Sequence, residues 1–260
     1  MLSYQHGYHA GNAADVHKHA LLAAMLDYMT RKPKPLFYLE THAGRGLYDL
    51  AGEQARKTGE AEQGIGRMAA RFAPDHPYAR ALASVRGEHG ATAYPGSPMI
   101  AAHLLRETDV LHLAERHPAE HAVLAAVMRP HRARVHFRDG FELAQALTPP
   151  EPRRGLMLVD PSYETAEDYA NMAPFLRRIA RKWNVGVIVL WYPLLADARH
   201  AAMLGALEEA HPGALRHEMR FPPARPGHGM IGSGLFVINP PFGLEAEAAR
   251  LARQCAALSH

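Results

Sequence analysis

Cysteine is nearly absent: Cys255 alone in 260 residues excludes an intrachain disulfide and leaves any zinc site to histidine and carboxylate ligands. A reducing interior suits that composition. Long apolar runs are missing too. Ala20–Leu26 is far too short to span a bilayer, and Met1–His9 has no basic region leading into an apolar stretch, so no membrane association is expected and the cytoplasm is the expected compartment. No internal repeat or low-complexity tract is evident. Excess charge of one sign is small. The 29 Lys and Arg against 26 Asp and Glu leave +3, which permits a nucleic-acid partner without demanding one.

What is present is a core. With 48% hydrophobic residues over 260 positions, burial of roughly 70–75% of the surface follows, and one domain with an embellishment fits better than two. The basic residues are mostly arginine, suited to phosphate forks and base stacking, although coding bias gives the same excess.

Apolar periodicity orders the elements. Leu22, Met25, Leu26 and Met29 share one face of a helix from Asn12 to about Met29, capped by Asn12 or Asp15 and stopped by Lys32 to Pro35. Leu36–Glu40 reads as a buried strand. The Thr41-His42-Ala43-Gly44-Arg45-Gly46 turn after it opens a ligand-binding βαβ unit, its glycines allowing close backbone approach. Residues 50–93 break the alternation with two helical faces, Ile65/Met68/Phe72 and Tyr78/Leu82/Val85, and are expected to form a small helical insertion within a domain of residues 1–49 and 94–260. Beyond it, Ser97 as cap and Pro98 open a helix, followed by the strand Val110–Ala114 ending at Glu115 and a helix Pro118–Met128. The strand Arg134–Phe137 ends in Asp139-Gly140 before a helix from Phe141, and Leu156–Val159 ends at Asp160. A helix from Thr165 to about Trp183, which Pro174 should bend or interrupt, precedes the strand Val185–Trp191 and a helix Leu194–Ala210. His217–Phe221 and Leu235–Ile238, joined without a helix, should be antiparallel. The fold class is α/β, a mostly parallel seven-stranded sheet with an antiparallel last strand. In the C-terminal helix Leu244, Leu251, Cys255 and Leu258 share a face, so Cys255 reads as packing.

Strand ends carry the chemistry. Gly44/Gly46, Glu115, Asp139 and Asp160 fall at four strand ends, and in an open α/β sheet the crevice outside those ends binds ligand. The glycine turn suits a nucleoside with an attached chain, Glu115 two ribose hydroxyls, and Asp139 an adenine amino group. S-adenosylmethionine satisfies all three; its carboxylate would meet the free N–H groups of the helix starting at Ser97-Pro98, with His19 and His42 adding hydrogen bonds. At the fourth end, Asp160-Pro161-Ser162-Tyr163 has the composition that activates an exocyclic base amine. The Asp160 carboxylate and the Pro161 carbonyl each accept an N–H, drawing the nitrogen toward tetrahedral geometry, while Tyr163 stacks on the base.

Ser3-Tyr4-x-His6-x-x-His9-Ala10-Gly11-Asn12-x-Ala14-Asp15-Val16-x-Lys18-His19, Thr41-His42-Ala43-Gly44-x-Gly46, Tyr94-Pro95-Gly96-Ser97-Pro98 and Trp191-Tyr192-Pro193 together resemble the RlmJ family of bacterial 23S ribosomal RNA adenine-N6 methyltransferases, nearly end to end. The resemblance implies a Rossmann-like class I methyltransferase fold with a helical insertion, and 23S rRNA, protein-free or in early assembly, as partner of a monomeric enzyme. It also implies cofactor contacts at His19, His42, Ser97, Glu115, Asp139, Gly140 and Asp160, with Asp160 as proton acceptor and Tyr4 near the substrate base. Ser162 departs from the family's second proline.

Blander readings stand beside these. Asn239-Pro240-Pro241-Phe242 matches the amine-binding pattern better than Asp160–Tyr163 but follows the final strand, so it reads as a decoy. His6, His9, His17 and His19 mimic a metal cluster, yet no metal is expected, since His17 and His19 point to different sides of a helix. Glu115 and Asp139 taken singly are common turn residues. Arg153, Arg154, Arg177, Arg178, Arg181 and Lys182 are either a solvated face or phosphate contacts flanking the site mouth. The functional alternatives are a DNA adenine-N6 methyltransferase and a noncatalytic RNA-binding protein on a methyltransferase fold. A dehydrogenase is disfavoured by the missing Gly-x-x-Gly after Gly46.

Overall fold

The computed structural model describes residues 6–222 and 229–256. From the amino end the elements are α1 (Ala13–Thr30), β1 (Phe37–Glu40), β2 (Leu47–Asp49), α2 (Glu53–Thr58), α3 (Glu60–Gln63), α4 (Ile65–Met68), α5 (Pro77–His89), β3 (Ala93–Pro95) and α6 (Ser97–Leu104). Then come β4 (Val110–Ala114), α7 (Pro118–Met128), β5 (Arg134–His136), α8 (Gly140–Leu147), β6 (Gly155–Val159) and α9 (Ala166–Lys182). The chain closes with β7 (Val187–Leu195), α10 (Ala201–Ala210), β8 (Leu215–Arg220), β9 (Met230–Ile238) and α11 (Leu244–Ala256).

Seven strands form one sheet in the order β5-β4-β1-β6-β7-β9-β8, parallel except for β9, which runs against both β7 and β8. This is a Rossmann-like sheet with its reversal of strand order at β1. Its central strands are buried and mostly apolar, Glu40 at the end of β1 excepted, because both faces are covered. Tyr38, Leu156, Leu158, Val187 and Val189 join the core beneath α1, whereas Phe37, Leu39, Met157, Val159, Ile188 and Leu190 join the core beneath α9 and α10. The alternation is the two-residue period of a strand.

Several expectations need revision. β7 continues through Pro193 to Leu195, and α10 begins only at Ala201, where a helix from Leu194 was expected. Beyond Leu190 the strand pairs with β9 alone, so it is locally an edge, where a missing proline N–H costs no ladder bond. α9 runs unbroken through Pro174, started by a Thr165–Asp168 capping box. β2 and β3, not anticipated, pair antiparallel at the two ends of the segment containing α2 to α5. That segment is helical, and Ile65, Met68, Phe72, Tyr78, Leu82 and Val85 join the core of α1. Among the described residues no helix is long and apolar enough to cross a membrane. Cys255 packs its sulfur against those of Met68 and Met219, and burial pushes its thiol up to about 12. Leu258 lies outside the described residues.

Candidate active site

A cavity of about 530 Å³ opens at the carboxyl ends of β1, β4, β5 and β6, lined among others by His19, His42, Gly44, Ser97, Glu115, Asp139, Gly140, Asp160, Pro161 and Tyr163. These are the predicted site residues, brought together by the sheet; Tyr4, the remaining one, lies outside the described residues. Gly44 and Gly46 take positive φ of 62° and 78° in the turn after β1, a region open to glycine. At Gly140 a Cβ would fall 1.8 Å from the Thr41 carbonyl oxygen, so only glycine lets the start of α8 approach the turn after β1.

The acidic strand ends also do local work. Glu115 accepts N–H bonds from Gly44 at 2.8 Å and His117 at 2.7 Å, tying the glycine turn to β4. Asp139 caps α8 with Oδ1, accepting from Phe141 at 2.9 Å and Glu142 at 3.1 Å, and its Oδ2 faces Arg116 at 3.3 Å. Ser97 is not the cap of α6. Gly96 holds that position without a side-chain bond, and the Ser97 hydroxyl instead donates to Glu40 at 3.0 Å. Glu40, fully buried, also accepts from Tyr38 at 2.5 Å. Burial pushes its carboxyl up to about 8 against the pull of those two donors.

At the other end of the cavity Asp160 is held by Lys18, whose Nζ donates to Oδ2 at 2.6 Å and lies 3.2 Å from Asp15. Lys18 sits on α1 with its side chain 5% exposed. Burial opposes its charge, but the two carboxylates outweigh it and raise its pKa. Asp15 in turn bonds His6 at 2.9 Å and the Gly11 N–H at 2.9 Å. Burial opposes its ionisation, yet His6, Lys18 and His19 hold it well below the usual range. His19 bonds the Tyr94 hydroxyl at 2.9 Å, and burial lowers its pKa to about 3. His42 bonds Thr41 at 2.8 Å and packs edge-on against Phe141; burial lowers its pKa too.

Tyr163 is not an open stacking face. Its φ is 52°, its ring lies 4.5 Å from that of Tyr169, and its hydroxyl donates to the Trp191 carbonyl at 2.8 Å. Three of the basic residues read either as a solvated face or as phosphate contacts have partners away from the cavity lining. Arg154 binds the Met29 and Lys34 carbonyls ahead of β1, at the amino edge of the sheet, while Arg178 and Lys182 bond Gln145 on α8. His17 and His19 face different partners, and no cluster of three metal-ligating side chains occurs among the described residues.

Residues 33–256 match the family model described as ribosomal RNA large subunit methyltransferase D, RlmJ. The ribosomal RNA large subunit methyltransferase J of Escherichia coli is 38% identical over 252 residues, 95% of this chain and 90% of its own length. Its Haemophilus influenzae counterpart is 36% identical over 253 residues, with 95% and 90% covered. The chain belongs to the RlmJ family. A crystal structure of protein LPL1258 from Legionella pneumophila superposes with TM-score 0.85 at 35% identity, covering 96% of this chain and 93% of that one.

A methyl donor is required by the RlmJ family's methyltransferase activity, and the residues present fit the expected S-adenosylmethionine. His117 Nδ1 is buried at the cavity with no partner among the described residues, and the first turn of α6 has no side-chain cap, so donors and acceptors await a polar ligand. Lys18, Asp15 and Glu40 had not been singled out as site residues. Asp15 and Lys18 stand in the pattern that carries the family resemblance, and Glu40 is a charged residue ending an otherwise apolar strand.

Proposed function

We propose that the chain transfers a methyl group from S-adenosylmethionine to the exocyclic N6 of an adenine in 23S ribosomal RNA. The Lys18–Asp160 pair carries this reading: a strand-end carboxylate on the cavity, with one oxygen engaged at 2.6 Å by a buried ammonium. Lys18 occupies Oδ2, so Oδ1 is the oxygen left to accept an N–H of the target amine. The Pro161 carbonyl accepts the second, and together they restore the nitrogen lone pair that the ring withdraws. Glu115 would hold the ribose hydroxyls of the cofactor and Asp139 its adenine amine, Gly140 would admit the close backbone approach, and the start of α6 at Ser97 with His19 and His42 would hold its amino-acid end. When bound, the cofactor supplies a methyl carbon made electrophilic by its sulfonium. Asp160 and Pro161 orient the amine lone pair toward that carbon, whose bond to sulfur would break, electron pair to sulfur, as the bond to N6 formed. The N6 proton leaves by way of Asp160.

A base inside a helix would have to be extruded, so a bulged, mismatched or loop adenine is the target, in protein-free or early-assembly RNA. The enzyme acts as a monomer in the cytoplasm, and residues 50–93 are an inserted subdomain of the methyltransferase domain. Incubation with labelled cofactor and transcribed large-subunit RNA, then nucleoside analysis, tests the reaction. N6-methyladenosine is the expected product; its absence, or preference for a DNA competitor, overturns the assignment.

A further inference from the structure

Trp191 lines the cavity beside Asp160, with Lys18 Nζ 5.6 Å from its ring centroid and the Tyr163 ring at 6.2 Å. Tyr163 is only 7% exposed and packs on Tyr169, whereas the indole is partly open. Of these two aromatic rings, Trp191 is therefore the one with surface to offer a base. Its orientation is fixed from behind. The indole N–H donates to Ser233 Oγ at 2.9 Å, Ser233 Oγ lies 2.9 Å from His17 Nδ1, and His17 Nε2 lies 2.8 Å from His217 Nδ1.

Donor counting gives this chain a direction. An indole N–H only donates, so Ser233 accepts from it and must place its own proton elsewhere. Ser233 is fully buried, so an undirected hydroxyl proton would be costly, and His17 Nδ1 is the acceptor within reach. His17 then carries its proton on Nε2 and passes a hydrogen bond to His217. Its neutrality is secured, since burial and then the neighbouring His217 lower its pKa to about 3. His17 sits one residue before Lys18 on α1, so the same helix turn places both the ammonium on Asp160 and the support of the indole.

We infer that Trp191 supplies the aromatic face on which the target base lies, and that His17, acting through Ser233, is a positioning residue for that face. This rests on the adenine-methylation reading above. Base–aromatic stacking is tolerant of sequence, so the ring contributes binding while Asp160 and Pro161 read the amine.

The chain has two tryptophans, and Trp183 is fully buried with its N–H on the Arg153 carbonyl, so emission changes report Trp191. A single-stranded oligouridine carrying one adenine should quench wild-type emission more than oligouridine alone. His17→Leu should shift the emission, weaken that quenching, and raise KM for large-subunit RNA about tenfold with kcat within about threefold, the scale of one lost hydrogen bond. Affinity for S-adenosylhomocysteine should not change. His17→Asn, whose Oδ1 can take the Ser233 proton, should restore most of the wild-type KM; Ser233→Ala should copy His17→Leu, and the double variant should be no worse than either. Trp191→Phe, which keeps a ring but loses the N–H, gives the same KM shift without altering α1. A His17→Leu protein changed only in melting temperature, or a Trp191→Phe protein with wild-type KM, overturns the inference. Wild-type methylation with emission indifferent to adenine also overturns it while sparing the methyl-transfer reading. Failure of the wild type to methylate any RNA sinks that parent reading, and the quenching comparison still decides whether Trp191 meets a base.

Discussion

Two segments of nearly the same composition sit at opposite ends of the sheet, and only one faces the cavity. Asp160-Pro161-Ser162-Tyr163 leaves the carboxyl end of parallel β6, on the same cavity as the glycine turn after β1. Asn239-Pro240-Pro241-Phe242 leaves β9, whose antiparallel course puts Ile238 opposite Ile188 at the start of β7 and hence at the far edge. There the Asn239 amide donates to the carbonyls of Asn184 and Gly186 at 3.0 and 2.8 Å, and Phe242 is 86% exposed. Motif identity thus counts for less than strand direction. The first segment presents an acceptor to a cavity; the second spends donors on a turn.

The comparison breaks most readily at Asp160. Asp160→Ala should lower methyl transfer by about 10³-fold or more, the range for a group acting directly on the reacting amine, with S-adenosylhomocysteine affinity within about threefold. Equal loss from Asn239→Ala would reverse the assignment. Next in size is Lys18→Met, which strands Asp15 and Asp160 without their shared ammonium. A destabilisation of about 3–5 kcal/mol in chemical denaturation should accompany a large activity loss, as for a broken buried pair. Wild-type stability in that variant would mean the pair is dispensable.

A third effect lies in pH. In the folded chain Glu40 stays protonated up to about 8, whereas an unperturbed glutamate ionises near 4.5. Unfolding between those values therefore releases a proton, so this group's contribution to stability declines as pH rises through that window. Glu40→Gln should flatten the decline in denaturation midpoints measured from pH 5 to 8; an unchanged slope would place the titration elsewhere. The smallest effect belongs to Ser162, exposed beside Pro161. Ser162→Pro should keep activity within about threefold and add about 0.4–1 kcal/mol by restricting the unfolded chain, measured by thermal melting. A marked destabilisation would show that the turn into Tyr163 cannot accept the ring.

Periodicity read the sheet well where strands are buried on both faces. The limits of β4 and of α7 matched the pattern because turn residues and Pro118 bracket them. The reading failed at β7, where Pro193 looked like a stop although the locally unpaired edge accepts it. It also underestimated α1. Leu22, Met25, Leu26 and Met29 show one stripe, yet Asp15, His17, Lys18 and His19 are buried as well, because that helix faces the core on one side and the cavity on another. Strand-end acids were visible as residues; their local hydrogen bonds were not, since Ser97 meets Glu40 across 57 positions and Lys18 meets Asp160 across 142.

One ammonium serving two carboxylates constrains how this protein can diverge. A drift to a neutral residue at position 18 leaves two carboxylates without their shared cation, and removing either acid first leaves the buried ammonium with one carboxylate fewer to offset its desolvation. The three positions are therefore expected to change together or not at all, a dependence that a survey of natural variants can count directly.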